Sequence, residues 1–150
     1  MASATSSAAP HLAVASLLEA RSQHYTAGRR RLVEALAALG RPVTVGELLL
    51  ATPGLPISTA YRSLMVLAEA GAVTRVSGDD EFGRFELSEQ VSGHHHHHVV
   101  CVGCGIVVDA GVSARLEAAL EEAAAVVAEA TGFTINGHRL ELVGRCGTCR

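Results

Sequence analysis

Between residues 26 and 40 the apolar positions Leu32, Val33, Leu36 and Leu39 recur at the three- and four-residue intervals of one helix face. Thr26 offers an oxygen to cap the first turn and Gly40 a place for the chain to turn out of the helix, so a helix is predicted there. A first helix is predicted ahead of it, over about 11–24. The stretch RPVTVGELLLATPGLP reads as a short helix opened by Thr44 and closed by the Pro53-Gly54 turn. ISTAYRSLMVLAEAG follows, opened by Ser58 or Thr59, with Leu64, Leu67 and Ala68 on one face and Gly71 at its C-terminal cap. Helix, short helix, tight turn, helix is the order of a helix-turn-helix unit. AVTRVS and RFELS, separated by the polar GDDEFG, predict a β-hairpin, and the whole predicts a winged helix.

The pattern changes after residue 88. SEQVSG is polar and without period, and reads as a hinge. HHHHVVC and GIVVDA predict strands, an Ala/Glu/Val-rich segment predicts a long helix over about 113–131, and HRLELVG predicts a last strand. The expected organisation is a disordered Ala/Ser/Thr-rich start (1–10), a winged-helix DNA-binding domain (11–88), a hinge (89–93) and a small α/β second domain (94–150), an α+β chain taken whole.

Composition narrows this picture. With 49% hydrophobic but only 3% aromatic residues and no tryptophan, the core is expected from Ala, Leu and Val, a composition that favours helix. No apolar run nears the roughly 18 residues that cross a bilayer, and MASATSSAAP lacks the features of a secretory signal, so a cytoplasmic protein without a membrane partner is expected. The net charge of −3 does not suggest a nucleic-acid binder, but its distribution does. Residues 1–76 carry seven arginines against four glutamates, residues 77–150 five arginines against eleven acids, and lysine is absent.

The candidate chemistry lies in GHHHHHVVCVGCG, which spans Gly93 to Gly105. Five histidines suggest a purification tag, yet this run is internal and Cys101 follows it closely. If the run is a strand, His94, His96 and His98 face one way and His95 and His97 the other, so one segment can feed two metal sites. Imidazole suits zinc, iron, copper and nickel alike. The alternative is a solvated polar tract. Two C-x-x-C pairs, Cys101/Cys104 and Cys146/Cys149, match a closed tetrahedral thiolate site, with a redox pair or incidental thiols as alternatives. A zinc hydrolase would want an open metal beside a general base, and no H-E-x-x-H arrangement occurs. A metal buffer would have no use for a recognition helix.

Taken together, YTAGRRRLVEAL, ISTAYRSLMVLAEAG, HHHHHVVCVGCGIVVD and GRCGTC resemble the ferric uptake regulator family over about residues 24–150. The resemblance implies a homodimeric, metal-activated transcriptional repressor with residues 94–150 as its metal-binding dimerisation domain, not an enzyme and without a small-molecule substrate, that binds a double-stranded operator near metal-homeostasis genes. It implies structural zinc on Cys101, Cys104, Cys146 and Cys149, and a sensing site for Fe2+ or Zn2+, with Mn2+ possible, on Glu86, His96 and His98. Asp109 is a candidate fourth ligand there, with His24, Asp79, Asp80 or water as alternatives. A second site would use His95, His97, Glu121 and His138, with Glu121 chosen over Glu117 and Glu122 by counting back from Gly132. His94 is left without a role.

The chain also departs from the family pattern. Arg41-Pro42 stands where many members place a sensing histidine, and Thr74 and Ser88 where the zinc-sensing branch often has an aspartate and a cysteine. The metal is therefore not named by the sequence, and peroxide sensing stays open. For DNA, Ser58, Thr59, Tyr61 and Arg62 lie near the start of the recognition helix, where side chains reach base edges, and Arg29, Arg30 and Arg31 form a basic cluster suited to the backbone; the resemblance points to Tyr61 and Arg62 for base or phosphate contact and to the position of His24 for the minor groove.

Overall fold

The computed structural model describes residues 8–76 and 83–150, which fall into two compact units dividing after His95. The first unit holds helices α1 (Ala8–Glu19), α2 (Ala27–Leu39), α3 (Val45–Ala51), α4 (Ile57–Glu69) and α5 (Glu89–Ser92), with strands β1 (Val43–Thr44), β2 (Val73–Val76) and β3 (Arg84–Leu87). Its core is one cluster in which Val14 and Leu18 of α1 join Leu32, Val33 and Leu36 of α2, Leu48 of α3, and Leu64 and Leu67 of α4. Branched and straight aliphatic chains fill it, as the aromatic-poor composition requires.

Caps set the helix ends. Thr26 Oγ1 accepts from the Arg29 amide, and Gly40 leaves α2 at φ +58°, a conformation glycine adopts at little cost. Thr44 and Glu47 form a reciprocal capping box, in which Glu47 N–H donates to Thr44 Oγ1 and Thr44 N–H donates to Glu47 Oε2 at 2.8 Å. The recognition-type helix α4 begins at Ile57, ahead of both expected openers, with Pro56 at the N-cap and no side-chain cap bond. The first helix is likewise shifted and covers 8–19 rather than 11–24, so residues 8–10 of the start expected to be disordered are helical. The rest of that start and most of the GDDEFG turn lie outside the described residues.

The wing is a three-stranded antiparallel sheet of order β1-β3-β2, in which Thr44 faces Arg84 and Glu86 faces Thr74. The two-residue β1 was not expected from sequence. SEQVSG is also more ordered than a hinge, because Val91 is buried and draws residues 89–92 into a single helical turn.

In the second unit, β4 (His97–Cys101) pairs antiparallel with β5 (Val107–Ala110) and parallel with β6 (Glu141–Gly144), and α6 (Ala114–Thr131) is the connecting helix. Ser113 caps α6, and Gly132 ends it at φ +72°. Val100, Cys101 and Val107 are buried, whereas no residue of α6 is. The mixed helix-and-strand class expected from the pattern is the one found. Among the described residues no helix is long and apolar enough to cross a membrane.

Candidate metal and nucleic-acid sites

Four cysteine sulfurs meet where β4 and β6 end side by side. The parallel register pairs Cys101 with Gly144, which carries Cys146 back over the β4–β5 turn. All four Sγ atoms of Cys101, Cys104, Cys146 and Cys149 lie within 4.8 Å of one another, and none is in a disulfide. Cys101 Sγ accepts from the amides of Cys146 at 3.2 Å and Gly103 at 3.4 Å. Amide donors, chiefly those of Cys146 and Cys104, draw its pKa down to about 6, which favours the thiolate near neutrality. An amide N–H from Thr148 lowers Cys146 as well, while its thiol neighbours, Cys146 first, push Cys149 up to about 12. Four unbridged sulfurs this close, with amides favouring the thiolate at Cys101 and Cys146, are a donor set that suits a cation. Zinc fits it: a tetrahedron with Zn–S of ~2.3 Å has edges of ~3.8 Å, and Cys104 and Cys146 stand 3.8 Å apart. Gly103 lets the loops approach this closely, since a Cβ there would lie 2.7 Å from Cys149 Cβ.

Two further donor groups form around β4 and the residue before it, according to parity. His98 pairs across the ladder with Asp109, and His96, two residues back, shares that side. Their ligand atoms fall within 4.8 Å, and the two imidazoles meet edge to face at 5.1 Å. On the other side His97, 2% exposed, meets Glu117 Oε1 at 2.7 Å through Nε2. Glu117 Oε2 lies 3.2 Å from His138 Nε2, and the His97 and His138 rings stack at 5.3 Å. The acid of this group is therefore Glu117, not the expected Glu121, which sits one turn further along α6 and is exposed. Glu117 occupies the first turn of α6, where the helix dipole favours an anion.

The remaining expected ligands lie in the first unit. Glu86 is buried on the central wing strand. His95 closes the unit, with Nδ1 2.6 Å from Glu89 Oε1. The strand proper begins at His97, so His94, His95 and His96 precede it.

The helix-turn-helix presents Ser58, Tyr61 and Arg62 on the outer face of α4, opposite the buried Ala60, Ser63, Leu64 and Leu67, while Thr59 is half-buried on the flank. The arginine triplet is less uniform than a phosphate-binding cluster. Arg29 donates to the His24 carbonyl, Arg31 Nη2 donates to the Pro53 carbonyl at 2.6 Å, and Arg30 lies 4.2 Å over the Tyr25 ring. Arg31 thereby fastens α2 to the turn before α4. Tyr25 is pushed up to about 12, mainly by burial, so it stays a neutral donor and ring platform.

A winged helix followed by a small sheet that gathers thiolates and imidazoles defines the class: a helix-turn-helix protein with an attached metal-ligand unit. The sequence model of the ferric uptake regulator family matches residues 20–143, and the chain belongs to that family. It is 33% identical over 97 residues, 65% of its length, to the peroxide operon regulator of Bacillus subtilis, and 33% identical over 93 residues, 62% of its length, to the ferric uptake regulation protein of Campylobacter jejuni. These matches span 61% and 54% of the two relatives, less than two thirds of each. The crystal structure of the Vibrio cholerae ferric uptake regulator, described as revealing a rearrangement of its DNA-binding domains, is 28% identical, with a TM-score of 0.68 over 88% of this chain and 98% of that one. Helix α1 lies ahead of the family match, yet Val14 and Leu18 are fully buried in the first unit's core.

Proposed function

We propose that the chain is a metal-dependent, DNA-binding transcriptional repressor of metal uptake or homeostasis genes, acting as a cytoplasmic homodimer on an operator. The observation that carries this reading is the parity of β4. That strand and the residue just before it supply His96 and His98 to one donor group, His97 to another and Cys101 to a third, in a chain whose other unit is a winged helix.

The cysteine group is the structural zinc site. Zinc closed by four thiolates has no open position, and binding there contributes directly to the folding of a unit with few buried residues. Glu86, His96, His98 and Asp109 form the sensing site, a carboxylate and imidazole set that accepts Fe2+, Zn2+ or Mn2+. Metal binding by this set is the proposed switch. His95, His97, Glu117 and His138 form the second site. Ser58, Tyr61 and Arg62 read base edges, with Thr59 beside them. Arg29 and His24 approach the backbone and minor groove. Catalysis is not part of this reading.

The test is a gel-shift series on DNA selected from a randomised duplex pool, with metal-stripped protein and then with added iron, zinc or manganese. Binding is expected only with a regulatory metal, and His96→Ala should abolish the metal response while leaving one zinc per chain. Equal affinity with and without every metal would sink the switching function.

A second reading is favoured by the similarity to the Bacillus subtilis peroxide operon regulator. If peroxide is the signal, iron-loaded protein treated with hydrogen peroxide should lose DNA binding and gain one oxygen atom on His96 or His98 in peptide mass spectra.

A further inference from the structure

The outer face of α4 is not uniformly polar. Ile57, Tyr61 and Met65 follow one another at four-residue intervals and are 59%, 46% and 44% exposed. Ser58 and Arg62 run beside them, one residue on, and Glu69 ends the face near the helix C-terminus. The core side of the same helix is complete without them, since Ala60, Ser63, Leu64 and Leu67 are buried. Three large apolar side chains in a row on the exposed side of a short helix cost solubility and contribute nothing to this unit's core.

We propose that Met65 and Ile57, on either side of Tyr61 in one strip, are further specificity residues that read thymine C5-methyl groups in the major groove. This deepens the proposed function and rests on it. Charge complementarity selects duplex DNA as the occupant: Arg62 lies along the strip, and Arg29, Arg30 and Arg31 lie on α2, the neighbouring helix of the same unit. In the major groove thymine alone presents a methyl, so apolar side chains there discriminate by burying it. Spacing supports the match. Positions i and i+4 rise ~6 Å along a helix axis, about two base-pair steps of ~3.4 Å. Three apolar contacts at that interval call for thymines at roughly alternate steps of a half-site, with Ser58 and Arg62 left for the acceptors between them.

The experiment uses the full chain with the metal that gives its tightest binding, on a duplex recovered from a randomised pool. Each thymine is replaced in turn by deoxyuridine, which removes only the methyl. At the position read by Met65, wild type should lose about fourfold in affinity, the equivalent of one buried carbon. Met65→Ala should weaken binding to the thymine duplex by at least as much, yet equal wild type on the deoxyuridine duplex, and Met65→Leu should keep most of the discrimination. Ile57→Ala should behave likewise at a second position. Because both side chains are exposed, the melting temperature should not move. If no deoxyuridine replacement weakens wild type, or if the Met65→Ala penalty is the same on both duplexes, the strip is not a methyl reader and serves another apolar partner. Failure to bind any duplex with any metal would instead overturn the repressor function itself.

Discussion

Glu117 shows how much one residue decides. Its two carboxylate oxygens serve two imidazoles, one of them the buried His97, and its neighbour Glu121 four residues on serves neither. The two acids are otherwise matched, both exposed or half-exposed glutamates on one helix, so alanine at each makes a controlled pair. Glu117→Ala removes a charge-assisted bond from a buried ring and should cost about 1–3 kcal/mol in urea unfolding of the protein as purified. Glu121→Ala should stay within about 0.5 kcal/mol of wild type. Equal effects would remove Glu117 from the site. Counting along the sequence could not separate these acids, because the loop of residues 132–140 sets where His138 returns to α6, and nothing in its composition fixes that path. The parity of the histidines was legible, because alternation in a strand is dictated by backbone geometry alone.

Short elements were harder to read than long ones. Helix α2 announces itself through Leu32, Val33 and Leu36 with a cap at each end, and periodicity suffices. Helix α5 has a single buried residue, Val91, and strand β1 has two residues in all, too few for any period to register. Helix α3 lies between these extremes and depends on its capping box. Burial alone would raise the Glu47 pKa, but the Thr44 amide and the Arg41 guanidinium, whose Nη2 is 2.7 Å from Oε1, outweigh it and hold the carboxyl below its usual 4.5. A carboxyl with a lowered folded pKa stabilises most above its unfolded value and loses that contribution as pH falls through the folded one. Stability measured from pH 6 down to pH 2 should therefore fall below about pH 4.5 in part through Glu47, and Glu47→Gln should flatten that segment of the curve. Thr44→Ala, which removes the other half of the box, should cost about 1 kcal/mol across the whole range. An unchanged acid limb in Glu47→Gln would show that the capping carboxylate does not set it.

At the scale of the molecule, the two units answer to opposite rules. The first closes its own core, whereas the second leaves Val126, Val127, Phe133, Leu142 and Val143 exposed on α6, the loop after it and β6. β6 is an edge strand whose four residues are all exposed. An open edge carrying Leu142 and Val143 invites pairing with another strand, and charged residues are the usual means of blocking it. A second copy of the same unit can cover that edge and the α6 face through one two-fold axis, using the same surface on both sides. The arrangement also suits the proposed function, because two reading heads related by a two-fold axis match a pseudo-palindromic operator. Val143→Glu places a charge on the edge without touching the cysteine or histidine groups. It should convert the protein from dimer to monomer in sedimentation experiments, keep its zinc, and lose operator affinity by at least tenfold while each winged helix stays folded. A Val143→Glu protein that remains dimeric would place the interface elsewhere. One that turns monomeric yet binds the operator as tightly as wild type would show that a single reading head is enough.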